Sequence, residues 1–460
     1  MKRLMAIMMA MAMLLACAVS AGAETTETTG TVRMLVAVTG GKDDAEMRLF
    51  EEALGAATNL EIIIEKPASD YDNVLMQKLG AGESYDLVYM NASQYLNLAQ
   101  QGALTDLTDY IAASDILSNN VPQSEWDDLK IDGRIYAGFN KRECHVLVAL
   151  NKVMLENAGI DYTQIEPTLE GYYEVFTALR AANSDEDFYP FNTIISQAWD
   201  LQPWMSSVGL KGGVVVDESD GLTYVPYATD ASYEVWAWLK KLYDEDLLDP
   251  ASFVDSTTDM RNKMSAASQL TAVTVDWGAW IGLHNANALA GGVSEDDYAI
   301  VAMPGTMTPD GSYSLRKGSA SLFAVPVNAQ NVEGAIKVLE YFATQEGGNL
   351  LSLGIEGYDY TVDADGNVTM TEIGLAHGKD HGAPVPIYKD FVFLAGLNPG
   401  FEESLEYLEY ASIETIISNE SDYKSIVGKW AVSMIRGDVS IEEGLASMRQ
   451  ELVTMGVCEK

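Results

Sequence analysis

Val32-Arg33-Met34-Leu35-Val36-Ala37-Val38, closed by Thr39-Gly40-Gly41, is the stretch from which the fold is read. Its residues favour a strand, and the glycines end it. Asp43 or Asp44 then caps a helix with Met47, Phe50 and Leu54 on its apolar face. Leu60 to Ile64 reads as a second strand. Val74, Leu75 and Leu79 mark a helix stopped at Gly80 to Gly82. Asp86-Leu87-Val88-Tyr89-Met90 is a third strand, and Ser93 to Gln101 a helix stopped by Gly102. Strands that alternate with helices imply an α/β domain with a parallel sheet.

The middle of the chain is more helical. Thr168 to Asn183 and Ala231 to Asp244 are amphipathic, with Tyr233, Trp236 and Tyr243 at core spacing. Strand-like runs return at Tyr298 to Met303 and Ser321 to Val327, followed by a helix over Val332 to Gln345. Gly354 to Met370 reads as a loop and hairpin. The last 60 residues are expected to be mostly helical, with Tyr407, Tyr410, Ile413, Ile416 and Ile417 on one face.

The N-terminus sets the address. Lys2 and Arg3 precede the uncharged stretch Leu4 to Ala16, then Cys17, small residues and a Thr/Glu-rich linker over residues 24–31. This is the anatomy of a secretory signal over residues 1–23. The apolar stretch is shorter than the roughly 20 residues an anchor needs. Two cleavage readings stand side by side. Leu14-Leu15-Ala16-Cys17 resembles a bacterial lipobox, which would make Cys17 a lipid-modified N-terminus and the protein a membrane-anchored lipoprotein. Ala21-Gly22-Ala23 suits ordinary signal peptidase, giving a secreted or periplasmic chain that starts at Glu24.

The 460 residues suffice for two or three domains, and 48% hydrophobic residues can build large cores. Sixty-eight Asp and Glu against 28 Lys and Arg give a formal charge of −40. Such a surface repels phosphate backbones and anionic headgroups, so nucleic acid is not expected as a partner. Cys144 and Cys458 form no spaced cluster, and their pairing stays open. His377 and His381 are four apart, but Gly378, Gly382 and Pro384 argue for loop, so no metal is expected. Asp363-Ala364-Asp365-Gly366-Asn367 lacks the twelve-residue calcium ligand set and reads as a hairpin turn. No phosphate-binding glycine loop and no nucleophile elbow is present, so no enzymatic activity and no cofactor are expected.

Several segments resemble extracellular solute-binding proteins of family 1, the carbohydrate-import group that includes maltose-binding protein. Ala81-Gly82-Glu83-Ser84-Tyr85-Asp86-Leu87 is similar to the family's G-x-x-P-D strand entry, with Tyr85 in the proline position. Gly102 to Tyr110 resembles its G-x-L-x-x-L segment. Tyr136 to Leu155, Ala158-Gly159-Ile160 and Pro167-Thr168 resemble a hinge strand, an N-K-x-x-L element and a helix start. Asp244 to Pro250 resembles the G-L-x-D-P turn, and Val275 to Trp280 the G-x-W element. Leu353 to Tyr360 is similar to the Y-G-I-E-G-x-x-Y segment of a long-chain oligosaccharide-importer subgroup.

The resemblance implies a two-lobed, type II periplasmic-binding-protein-like α/β fold, each lobe a mixed, mainly parallel sheet flanked by helices. The first lobe would hold residues 32–141 and 298–330, the second 142–297 and 331–460. It implies a monomeric substrate-binding subunit of an ABC importer that captures a carbohydrate, in the subgroup an oligosaccharide, and docks on a membrane permease. A secreted carbohydrate-active enzyme and a ligand-sensing partner of a membrane receptor are the alternatives. A sugar offers hydroxyl edges and flat C–H faces, which call for carboxylates, amides and aromatic rings. Loops at the carboxyl ends of the strands offer Lys42, Asp43, Asp44 and Asn91. The second lobe offers Trp199, Trp204, Asp276 and Trp277, and the hinge Arg142. For Asp43 and Asp44 helix capping, and for Trp199 and Trp204 core packing, are equal readings. Arg316 and Lys317 are further candidates, and an acidic sugar follows if several of these cations line the cleft.

Overall fold

A computed structural model describes residues 30–38, 40–139, 141–142, 146–197, 201–317, 321–377 and 384–460. The signal, Cys17, Cys144, Trp199 and His381 lie outside the described residues.

The first three strands form where the sequence pattern puts them, at Thr31–Leu35, Glu61–Glu65 and Leu87–Met90. The first pairs in parallel with both others. The helix between the first two strands spans Asp44–Thr58 and buries Phe50 and Leu54. The parallel set is extended by Leu322–Ala324 and then Ala137–Phe139, both antiparallel joins. Asp86 explains the strand-entry segment. It is buried, and its carboxylate accepts from the backbone N–H of Arg33, Gln330 and Asn331 at 2.8–2.9 Å. It thus ties the first strand to a segment from late in the chain.

A second sheet runs Ile300–Met303, Val146–Asn151, Thr271–Trp277, Tyr189–Phe191. Its first two joins are antiparallel and the last is parallel. Both sheets are therefore mixed, and in each all strands but one run the same way, Leu322–Ala324 being the reversed strand of the first and Val146–Asn151 that of the second. The second lobe buries an aromatic cluster against this sheet. Its Tyr233–Asp244 helix turns Val235, Trp236, Trp238, Leu239 and Leu242 inward. Tyr233, expected in the core, is 40% exposed, because the apolar stripe is centred on Trp236 and Leu239.

The lobe boundaries differ from those the resemblance implies. Ile300–Met303 pairs with Val146–Asn151, so residues 298–317 belong to the second lobe. The chain returns to the first lobe between Lys317 and Ser321. The Val332–Phe342 helix buries Ala335, Ile336, Val338, Leu339 and Phe342 in the first core, followed there by Leu350 and Leu351. Residues 331–351 are thus first-lobe, held by apolar burial. The third crossing comes after them, through residues 355–400, where Ile387 enters the first core while Val385 and Phe401 pack on Ala279 of the second lobe.

The C-terminal helices, Glu420–Arg436 and Ile441–Thr454, pack on the second core. The last 60 residues are mostly helical as expected, but Tyr407, Tyr410, Ile413, Ile416 and Ile417 do not share one helix face. Ala411–Ser412 pairs in parallel with Leu315–Arg316, and residues 413–419 then run on without helix. Ile416 packs on the first core and Ile417 on the second. Ser418 O accepts from Ser93 Oγ at 3.1 Å and from Asn97 Nδ2 at 3.3 Å. This stretch threads between the lobes. The hairpin Tyr360–Val362/Val368–Met370 forms around the Asp363–Asn367 turn as expected. Among the described residues no helix is long and apolar enough to cross a membrane.

Candidate functional site

The two lobes face each other across a narrow cavity of about 40 Å³. Each wall has a sequence reason. From the first lobe come Ala92, at the start of the helix after the third strand, and Leu129 and Phe139. Glu125 joins them from the short helix Gln123–Asp128. From the second lobe come Arg316 and Tyr423, with the Ile413–Ile417 stretch as floor.

The polar groups form a chain across the cavity. Lys317 Nζ lies 2.8 Å from Glu125 Oε1, with the side chains 13% and 8% exposed, so this ion pair joins the lobes at the hinge. Arg316 Nε lies 2.9 Å from Glu414 Oε1, and its guanidinium carbon is 5.7 Å from the centre of the Trp277 ring. Burial disfavours the charged form of Arg316, but Glu414, Tyr423 and Glu420 outweigh it and raise its pKa. Burial also raises the pKa of Asp128, which Lys317 only partly offsets. Tyr423 is fully enclosed, its hydroxyl accepts from Gly213 N at 2.8 Å, and burial holds it protonated. The site thus combines an aromatic face, aliphatic walls, and carboxylate and cation edges. It has the makings of recognition, with hydrogen-bonding groups of both signs around an apolar patch.

The amino-acid sequence matches the family of bacterial extracellular solute-binding proteins over residues 50–358. The chain belongs to that family. It is a binding protein and not an enzyme. No curated protein matches it in sequence.

Solved structures share this fold, two of them with sugar ligands of their own. The ABC substrate-binding protein Lmo0181 from Listeria monocytogenes, in complex with cycloalternan, is 14% identical with a TM-score of 0.66 over 93% of this chain and 99% of that one. The sugar-binding protein MalE from Xanthomonas citri is 14% identical, with a TM-score of 0.66 over 91% and 95%. A solute-binding protein from Thermotoga lettingae bound with α-D-tagatose is 14% identical, with a TM-score of 0.67 over 92% and 98%. At this identity they establish the fold of the solute-binding protein.

The residues singled out from sequence fall into three groups. Trp277 is half-buried at the N-terminal end of the Gly278–Ala290 helix, beside Arg316. On the first lobe, Lys42 and Asp43 are exposed in the loop before the first helix, and Asp44 is exposed as its first residue. Asp43 Oδ1 caps that helix, accepting from Ala45 N and Glu46 N at 2.8 and 2.9 Å, and these bonds lower its pKa despite a small burial penalty. Asn91 caps the Ala92–Gln100 helix in a reciprocal box with Gln94. Arg142 stands at the hinge with its Nε buried and without a hydrogen-bond partner, and burial lowers its pKa.

Two candidates are corrected. Asp276 is fully buried, and Arg261 grips both its oxygens, Nε at 2.7 Å and Nη2 at 2.6 Å. Arg261 in turn stacks on Trp280, 3.7 Å from the ring centre. Asp276 therefore holds the strand end instead of meeting solute. Trp204 is 0% exposed, with ring centres of Tyr172, Trp238 and Phe191 at 4.9, 5.1 and 5.4 Å. It belongs to the core. Trp199 lies outside the described residues.

Glu125, Glu414, Tyr423 and the Ile413–Ile417 floor were not singled out. Their only signal is indirect. An uninterrupted pattern of Tyr and Ile suggested a helix face, and nothing local reveals a stretch clamped between two cores. Cys458 is a buried free cysteine.

Proposed function

We propose that this protein is the extracytoplasmic substrate-binding subunit of an ABC importer. It captures a carbohydrate, an oligosaccharide by the Leu353 to Tyr360 likeness, in the interlobe cavity and delivers it to a membrane permease. The observation that carries the reading is the cavity itself, built from both lobes, with Arg316 on one side and Glu125 on the other, and Trp277 behind Arg316. Trp277 supplies the stacking face. Lys42, Asp43, Asp44, Asn91 and Arg142 supply further edges from the first lobe and hinge, beyond the residues that line this cavity. The sugar-bound structures of similar fold support the ligand class. The N-terminal signal supports export, with the mature chain starting at Cys17 as a lipoprotein or at Glu24 as a free monomer. N-terminal sequencing of native protein separates these two.

The test is a thermal-shift screen against a glycan panel followed by calorimetry on the hits. Ligand at 100 times Kd stabilises by about 2.7 kcal/mol. Small-angle scattering with the bound sugar is expected to show a smaller radius of gyration, since a solute touching both lobes favours the closed form. A panel without a hit, or a tight hit with unchanged scattering, overturns the reading.

A further inference from the structure

The Arg316–Glu414 pair lines two spaces. One is the narrow interlobe cavity. The other is a groove of about 250 Å³ on the second lobe, lined also by Lys211, Ser412 and Thr415. Their charge differs. In the interlobe cavity four carboxylates, Glu125, Asp128, Glu414 and Glu420, face two cations, Arg316 and Lys317. In the groove the balance is reversed, with Lys211 and Arg316 against Glu414 alone. A pocket with surplus positive charge runs against a chain of formal charge −40.

Lys211 is held in place from beneath. Gln202 is 2% exposed. Its Nε2 donates to Leu210 O at 2.9 Å, and its Oε1 accepts from Gly212 N at 2.8 Å. One buried amide thus clamps the backbone on both sides of Lys211. Tyr227 Oη donates to the same Oε1 at 2.8 Å and fixes the amide in turn. Gly213 has φ +83°, a conformation that suits glycine, and a Cβ on Gly212 would meet Glu414 Oε1 at 2.5 Å and push it off Arg316. The Lys211 side chain is exposed. Its Nζ donates to Ser412 Oγ at 3.3 Å and makes no ion pair among the described residues. Arg316 is 4% exposed, and its Nε, 2.9 Å from Glu414 Oε1, makes no hydrogen bond. Glu414 balances the charge of Arg316 and leaves that donor unused.

We propose that this groove is a subsite for the carboxylate of an acidic sugar unit, at one end of a solute whose other end sits in the interlobe cavity. The proposal rests on the carbohydrate reading above and narrows it to uronate-bearing oligosaccharides. One unpaired ammonium balances one carboxylate. A phosphate monoester carries about −1.5 to −2 at pH 7 and would leave an excess of negative charge. The hydroxyls of Ser412 and Thr415 supply further hydrogen bonds. Because the Gln202 clamp fixes the backbone beforehand, binding has only the lysine side chain to order. The acidic surface as a whole repels an anion, but screening limits that repulsion to about 8 Å at physiological salt, so the nearest cation decides.

The test is calorimetry on the full mature chain. Oligosaccharides that carry one glucuronate or galacturonate unit are compared with neutral oligosaccharides of the same length and with their phosphorylated counterparts. The uronate member is expected to bind about tenfold tighter than the neutral one, the lower end of what a hydrogen bond between charged groups contributes. That preference is expected to shrink as salt rises. Lys211→Gln is expected to abolish the preference and Lys211→Arg to keep it, both with the melting temperature of the wild type. If a variant loses stability, the wild-type preference and its salt dependence decide. A wild type that binds the neutral member as tightly as the uronate overturns the inference and leaves the carbohydrate reading standing. A preference for phosphorylated sugars, or a uronate preference that survives Lys211→Gln, does the same. Binding of no sugar at all overturns both.

Discussion

Glu125→Gln tests the cleft most directly. Lys317 and Glu125 meet at 2.8 Å where the chain passes from the second lobe back to the first, and both are largely shielded from water. An exposed pair contributes about 0–1 kcal/mol. A shielded hydrogen bond between charged groups contributes about 1.5–3 kcal/mol. The pair belongs to neither core, so its loss acts on how the lobes are held together and not on how each folds. At about 1.4 kcal/mol per factor of ten, the closed-to-open equilibrium shifts about ten- to 150-fold toward open. Asp128 lines the same cavity and offers Lys317 a second carboxylate, which places the effect toward the lower end. The assay is small-angle scattering on the unliganded protein, with thermal unfolding alongside. The radius of gyration is expected to rise while the melting temperature stays near that of the wild type. Lys317→Met is expected to do the same, and the double variant to be no worse than either single one, because both remove one interaction. Unchanged scattering in both single variants, or effects that simply add in the double variant, refutes the reasoning.

Three further outcomes are expected. Trp204→Ala removes a fully enclosed indole and is expected to cost about 3–5 kcal/mol, or about 6–20 °C in the second lobe's melting temperature, with sugar affinity unchanged by calorimetry. An altered affinity with no loss of stability returns Trp204 to the binding site. Trp277→Ala reverses the pattern, with about 1–3 kcal/mol of binding lost, about ten- to a hundredfold in Kd, and little loss of melting temperature. His284 is buried, which pushes its pKa below the ordinary 6.5, with Asp276 opposing and Arg261 reinforcing that shift. As pH falls below 6.5 the unfolded chain gains a proton that the folded chain resists, so stability declines until pH passes the folded value. His284→Gln is expected to flatten that part of the melting-temperature profile, and parallel profiles for the two proteins count against it.

Periodic and local features were readable without a structure. The first three strands and their helices follow from apolar spacing and glycine stops, because a strand or helix buries one face with a fixed period. The Pro167-Thr168 helix start, the Asp363–Asn367 hairpin turn and the Asp43 cap follow from side chains that bond backbone within a few residues. The ordered motifs pointed to the family, and the basic-then-apolar N-terminus gives the expectation of export.

What lay beyond the sequence depends on pairs brought together from distant positions. Asp276 looked like a solute ligand until Arg261 was found gripping it, and Trp204 until the Tyr172–Trp238 cluster closed around it. The lobe assignment of residues 298–317 and 331–351 turned on which core their apolar faces joined, and both cores are equally apolar in composition. Ile413–Ile417 carries the spacing of a helix face, yet its side chains are divided between two lobes, since burial against two cores outweighs the helix. Period and propensity act within a few residues, while a cleft and its charges exist only where separate parts of the chain fold against each other.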